Sequence, residues 1–252
     1  MHDIRYNEAR DEFYVNNPFA QAILTFRGGA DGQEAPIRII QGPKTKLISA
    51  DTLEIDTVNN EILVPQGDEV LVFPMTANGN VAPIRVLQGG KKMGWKSGGG
   101  IAVDPVHNLL VTDGTVAVEG EGYRTNYRLG RESILIFDRT ASGEARPLRV
   151  IRGPNTGIHG IRQMQVLPKG GWIVISQITD GGIAEPEGTF VGVWSINDNG
   201  DVPPRWKIEG KGSNVMKKPR GVALDPNYVS SRTMSRMLTL NARMPQKTQT
   251  FH

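Results

Sequence analysis

A heptapeptide recurs along this chain, and no other feature of the sequence limits its fold as strongly. Pro36 opens PIRIIQG, Pro83 opens PIRVLQG, Pro147 opens PLRVIRG and Pro204 opens the more divergent PRWKIEG. Each reads as a short, largely β-branched strand closed by glycine. Directly ahead of each lies a glycine turn: ADGQEA at 30–35, ANGNVA at 77–82, ASGEAR at 141–146 and NDNGDV at 197–202. Glycine or asparagine there supplies the positive φ of a tight hairpin. Ahead of each turn stands another apolar strand, AILTFRG at 22–28, VLVFPMT at 70–76, ILIFDRT at 134–140 and VGVWSIN at 191–197. Two further strands precede that one, best seen in LEIDTVNNEILV at 53–64 and IAVDPVHNLLVT at 101–112, and more weakly in IRYNEARDEFYV at 4–15. One repeat is therefore four short antiparallel strands.

Copies begin near Ile4, Leu53, Ile101, Met164 and Val222. A four-stranded sheet repeated at that spacing predicts an all-β fold, the β-propeller. A single twisted sheet cannot bury both of its faces, whereas sheets packed face to face around an axis can. Composition agrees, since 30 Gly and 16 Pro beside 7 Phe, 5 Tyr and 4 Trp are poor material for a helical bundle. The length of 252 residues suits one all-β domain. The expectation is a single propeller domain over 1–252 with about five recognisable blades and an atypical tail at 228–252. After GVALDP at 221–226 no further copy of the heptapeptide appears. A ring left open exposes sheet edges, which proteins pair or cover, so self-association through an open edge is also expected.

The order of apolar strand, D-P-x-H/N-N, apolar strand, I-L-I-F, glycine turn and P-x-R-V-I-x-G resembles the NHL-like and SMP-30-like β-propellers over roughly residues 4–226. The resemblance implies a ring that usually has six blades, one more than the starts visible here. It implies no single activity, because relatives with this blade include lactonases, lyases and modules that only bind proteins or RNA.

Charge and composition exclude several classes. The 29 Lys and Arg against 26 Asp and Glu leave a net charge of +3 with both signs interspersed, which is no nucleic-acid footprint. No apolar run approaches the ~18 residues of a membrane helix. The absence of cysteine removes disulfides, thiolate metal sites and cysteine nucleophiles. MHDIRYNEAR lacks the basic start and apolar core of a secretory leader, and the compartment stays open.

Two insertions stand against the repeat, GTVAVEGEGYRTNYRLGR at 114–131 and TDGGIAEPEGTF at 179–190. They lengthen the same connection in successive repeats and so share one face, the expected binding face. Alignment on strands puts Asn16, Asn17, Gln66, Asp68, Asp113, Gln177, Asp180 and Asn241 near one mouth of the central channel, with His159 and Arg162 entering from an inter-blade loop. GGKKMGWKSGGG at 89–100 is not a phosphate loop, because Trp95 separates Gly94 from Lys96 and a strand rather than a helix follows. It reads as a flexible loop offering Trp95 with Lys91, Lys92 and Lys96 to a sugar or anion. Arg38, Arg85, Arg149 and Arg205 recur at one outer-strand position and read as structural. Trp172, Trp194 and Trp206 read as packing between blades.

Two functional expectations follow. The first is a scaffold binding a small molecule, glycan or protein through Asn17, Gln66, Asp68, Trp95, Asp113, Arg162, Gln177 and Asp180. The alternative is a lactonase or lyase at the channel mouth, with a divalent metal ion on Asp68, Asp113 and Asn17 and with Asp180, Glu185 or His159 as base. The resemblance bears on that alternative. Its metal-dependent hydrolases carry a glutamate in the first strand, where this chain reads HDIRYN, and its lyases use paired histidines. Of the four histidines here, His2 and His252 are terminal and His107 sits in a turn on the far rim, which leaves His159 as the catalytic candidate.

Overall fold

The computed structural model describes residues 3–48, 51–89, 95–116, 132–177, 188–213 and 221–224. They form four antiparallel sheets arranged as a β-propeller, without an α-helix. Blade 1 is β1 (Ile4–Asn7), β2 (Glu12–Asn17), β3 (Ala22–Arg27) and β4 (Arg38–Gln41). Blade 2 is β5 (Glu54–Asp56), β6 (Glu61–Gln66), β7 (Glu69–Pro74) and β8 (Arg85–Gln88). Blade 3 is β9 (Trp95–Asp104), β10 (Leu109–Val116), β11 (Glu132–Asp138) and β13 (Arg149–Ile151), while the short β12 (Gly143–Glu144) crosses to blade 2. Blade 4 is β14 (Ile161–Leu167), β15 (Trp172–Gln177), β16 (Phe190–Ser195) and β17 (Trp206–Glu209). All four lie in one compact unit, Met1–Val222; Ala223–His252 is assigned to a second. The fifth expected start falls on 221–224, which carries no strand, and the tail at 228–252 lies outside the described residues.

Alternation within each strand builds the core between blades. In β6, Ile62 and Val64 pack toward blade 1 and Leu63 toward blade 3. Three apolar clusters result. One joins blades 1 and 2 through Tyr14, Ile23, Leu53, Ile62 and Phe73; the next joins blades 2 and 3 through Leu63, Val72, Trp95, Leu110 and Phe137. The last joins blades 3 and 4 through Val111, Ile136, Met164, Ile173 and Trp194. Each such side chain stabilises the fold by about 1.5–3 kcal/mol. Among the described residues no cluster joins blade 4 to blade 1. No helix of the described residues is long and apolar enough to cross a membrane.

The Asp-containing turns close by local bonds. Asp56 accepts from the N–H groups of Val58 and Asn59, and Asp104 from those of Val106 and His107. Asn60 and Asn108 then take φ of 57° and 56°, a conformation Asn tolerates better than most residues. His107 Nδ1 lies 2.8 Å from Asp104 Oδ2, in keeping with its reading as a turn residue.

The glycine turns do more than close hairpins. Gly79, at φ 78°, donates its N–H to Ile39 O of the preceding blade (2.6 Å), and Asn78 Oδ1 accepts from Ile39 N (2.9 Å). Gly200 and Asn199 bind Val150 the same way, at 2.7 and 2.9 Å. Gly143 pairs beside Leu87 in the parallel β12–β8 contact. Each of these three turns thus clamps the outer strand of the blade before it.

Two expectations are corrected. Register places Arg38, Arg85 and Arg149 opposite Thr25, Val72 and Ile136, but in blade 4 the residue opposite Val193 is Trp206. Arg205 therefore precedes the shared arginine position by one residue. Trp194 is core, whereas Trp172 and Trp206 pair on the opposite face of blade 4, with ring centroids 4.9 Å apart and Trp206 50% exposed.

Candidate functional site

The loops that lead into blades 2 and 4 share one construction. In 42–48 and 153–159, Thr45 and Thr156 donate to the carbonyls of Gly42 and Gly153 and accept from Leu47 N and Ile158 N. Gln66 then brackets its loop, donating to Lys46 O (2.7 Å) and accepting from Ile48 N (3.0 Å). Gln177 repeats this with Gly157 O and His159 N, both at 2.8 Å, and also donates to Gly188 O (2.6 Å). Both glutamines are held by backbone groups, and His159 occupies the loop position that Ile48 fills in blade 2.

These loops deliver the inner strands to the channel, where all four blades contribute to one cavity of about 100 Å³. Its polar lining includes Asp3 and Arg5 from blade 1, Thr52 ahead of blade 2, Gly99 of blade 3, and Arg162 and Gln163 of blade 4. Hydrogen bonds tie this rim together. Leu53 N donates to Asp3 Oδ2 (3.4 Å), Thr52 Oγ1 donates to Gly99 O, and Gly100 N donates to Asp113 Oδ1 (2.7 Å). Arg5 is bonded to Asp3 (2.5 Å) and Glu54 (3.2 Å). Burial works against the Arg5 charge, but Glu54 and Asp3 outweigh it and hold the guanidinium above its ordinary value. Burial pushes the Glu54 carboxyl up despite Arg5.

Blade 3 meets blade 4 at Glu132, a buried carboxylate that accepts the Ile161 N–H. Burial pushes it up to about 7, against the pull of that bond and of the Arg162 charge. Arg162 is exposed, and no hydrogen-bonded partner for it stands among the described residues. Among the described residues that line the cavity, it is the cation without a hydrogen-bonded partner.

The expected site residues separate accordingly. Arg162 lines the cavity, and buried Asp113 supports Gly100 in its wall. Asn16 accepts from Asp3 N (2.7 Å), and Asn17 accepts from Ala20 N (3.2 Å) to cap a 3-10 turn. Asp68 is exposed in the β6–β7 turn. Trp95, expected on a loop, lies in β9 at 0% exposure with its ring 5.3 Å from Phe137, so a ligand cannot reach it. The His159 imidazole makes no hydrogen bond among the described residues and does not line the cavity. Asp180, Glu185, Asn241, Lys91, Lys92 and most of both insertions lie outside the described residues. Asp3, Arg5, Thr52 and Gln163 were not foreseen; their signal is position, at the entrance to an inner strand.

The oxygen ligands suggested for a divalent metal do not fit one. Asn17, Asp68 and Asp113 are each engaged or exposed at their own blade, and among the described residues no group of three or more His, Asp or Glu is placed to hold a metal ion. The fold and the cavity define a β-propeller with a polar channel mouth shared by four blades. No protein-family model matches the chain. No curated protein matches it in sequence either.

Proposed function

We propose that this protein is a binding scaffold of NHL-like type that takes the carboxylate of a small acid or acidic glycan at the channel mouth. The observation that carries this reading is the convergence of all four blades on one cavity beside an exposed Arg162 that has no hydrogen-bonded partner among the described residues. A cavity of about 100 Å³ is well below the ~300–1,000 Å³ of whole-ligand pockets, so it suits one charged group of a ligand whose remainder lies on the rim. Arginine reads a planar carboxylate through two parallel hydrogen bonds, while Thr52 and Gly100, already bonded to Gly99 O and Asp113, hold the wall beside it. Arg5 is already satisfied by two carboxylates and serves to keep the rim rigid.

Melting curves with short-chain carboxylic acids, uronic acids and their neutral sugar counterparts test the reading. A saturable rise in Tm with an acid, absent with the neutral counterpart and lost in Arg162→Gln, is expected from linkage. A response unchanged in Arg162→Gln, or no response to any acid, overturns it.

A further inference from the structure

Each junction between blades has two halves, and one half of each kind stands here without its complement. The upstream half of blade 2 includes Leu53, Ile55, Ile62, Leu71 and Phe73, all buried against blade 1. Register makes Ile4, Tyr6, Phe13, Leu24 and Phe26 their counterparts in blade 1. All five are apolar or aromatic, yet Ile4 is 51% and Tyr6 47% exposed. At the other end, Val174, Val191 and Ile208 of blade 4 are the counterparts of Tyr14, Ile23 and Ile40, which face blade 2. There Ile208 is 53% and Trp206 50% exposed.

The clamp is divided in the same way. Gly32, at φ 59°, is the blade 1 counterpart of Gly79 and Gly200, but its N–H donates to its own Asp31 Oδ1 (2.7 Å) rather than to the outer strand of another blade. The outer strand β17 is exposed along its whole length, and among the described residues no glycine turn binds it. Lys207 of β17 holds the position of Ile39 and Val150, the residues clamped in blades 1 and 3. Residues 222–252 contain no glycine, so their sequence does not repeat the glycine turn. A second copy of this chain does.

We infer that two copies join head to tail, blade 1 of one continuing the series of junctions from blade 4 of the other. The Gly32 N–H donates to Lys207 O and the Asp31 carboxylate accepts from Lys207 N, as Gly79 and Asn78 do with Ile39. Two four-bladed copies meeting at both ends make eight blades, within the range in which propellers close. Val222 is displaced in the process. Its N–H meets Gln163 Oε1 as Leu53 N meets Asp3 Oδ2, in the place the incoming Ile4 must take.

Sedimentation of the full chain from low to high micromolar concentration tests this. The expected result is a species of twice the chain mass that grows with concentration. Trp206→Asp blocks one half and Gly32→Pro the other, because proline cannot adopt the positive φ; each weakens the dimer about tenfold or more. Mixing the two variants restores a dimer through the one junction left intact, and Val222→Asp, which unseats the competitor, increases it. A monomer at every concentration overturns the inference, as does a dimer that both variants leave intact or that mixing fails to restore. Amide exchange at Gly32 and Lys207 of the unaltered chain reads the same contact should either variant misfold. Slowing with concentration is expected; unchanged exchange overturns the inference.

Discussion

Blades 1 and 2 place a glutamate and an arginine where blade 4 places two tryptophans. Glu12 meets Arg38 at 2.6 Å and Glu61 meets Arg85 through two bonds of 2.9 Å, while Trp172 and Trp206 meet edge to face. The difference follows from what covers the position. Glu61 and Arg85 are 11% and 15% exposed, and Arg139 of blade 3 adds a third charge 2.9 Å from Glu61. A charge removed from water in this way is stable only while its partners remain. Burial pushes the Glu61 carboxyl up, but its bonds to Arg85 and the charges of Arg85 and Arg139 win and hold it below its ordinary value. Glu61→Ala leaves two arginines without their carboxylate and is expected to cost about 3–5 kcal/mol in urea unfolding. A loss under ~1 kcal/mol, the size of an exposed pair, breaks the comparison. Because the folded value is lowered, the stabilisation is full above pH 4.5 and fades as pH falls through that lower value. Glu61→Gln removes this acid sensitivity, which melting curves against pH will show.

Glu132 sharpens the same lesson with the sign reversed. It too lies at a blade junction, but its hydrogen bond comes from a backbone N–H, and burial dominates to push it up to about 7. A carboxyl whose folded value is raised binds its proton more tightly in the folded state. Stability therefore falls as pH rises from 4.5 to about 7 and is level above. Glu132→Gln is expected to raise stability near pH ~8 by up to about 3 kcal/mol, and the gain should vanish below the ordinary carboxyl range. Equal Tm values for the two proteins at both ends would show that the junction supplies a compensating charge.

The four-stranded period and its turns were legible because each blade repeats the same alternation and the same punctuation, Asp56–Asn60 and Asp104–Asn108 among them. The clamps were not, because a hairpin glycine carries no local mark of the strand its N–H will reach in another blade. Trp95 was misplaced for a related reason. The glycines around it read as a loop, yet pairing with Val116 draws it into β9, a contact visible only in three dimensions. Gln66 and Gln177 stand where ligand residues would, and their partners are the loops ahead of their own blades. Gln177→Ala leaves those loop groups unpaired and is expected to cost about 1–3 kcal/mol, while His159→Ala changes stability by less than ~0.5 kcal/mol. Thermal unfolding of the pair checks this, and a larger loss at His159 would mark it as a structural residue of that loop.

A small effect is also expected at the tryptophans themselves. An edge-to-face pair contributes about 0.5–1.5 kcal/mol beyond the area it buries, and an exposed ion pair about 0–1 kcal/mol. Exchanging one for the other through Trp172→Glu with Trp206→Arg, which installs the pattern of blades 1 and 2, should therefore alter the stability of an isolated chain by less than ~1 kcal/mol. A double-mutant cycle separates the pair from the single changes. The result depends on whether the face stays open, because the same exchange inside a junction removes apolar area from a core and buries two charges. A cost that remains small when dilute and grows as the protein is concentrated places the tryptophans at a contact between copies. A large cost even in dilute solution means that the chain itself covers them, and blade 4 then differs from blades 1 and 2 in its side chains but not in its burial.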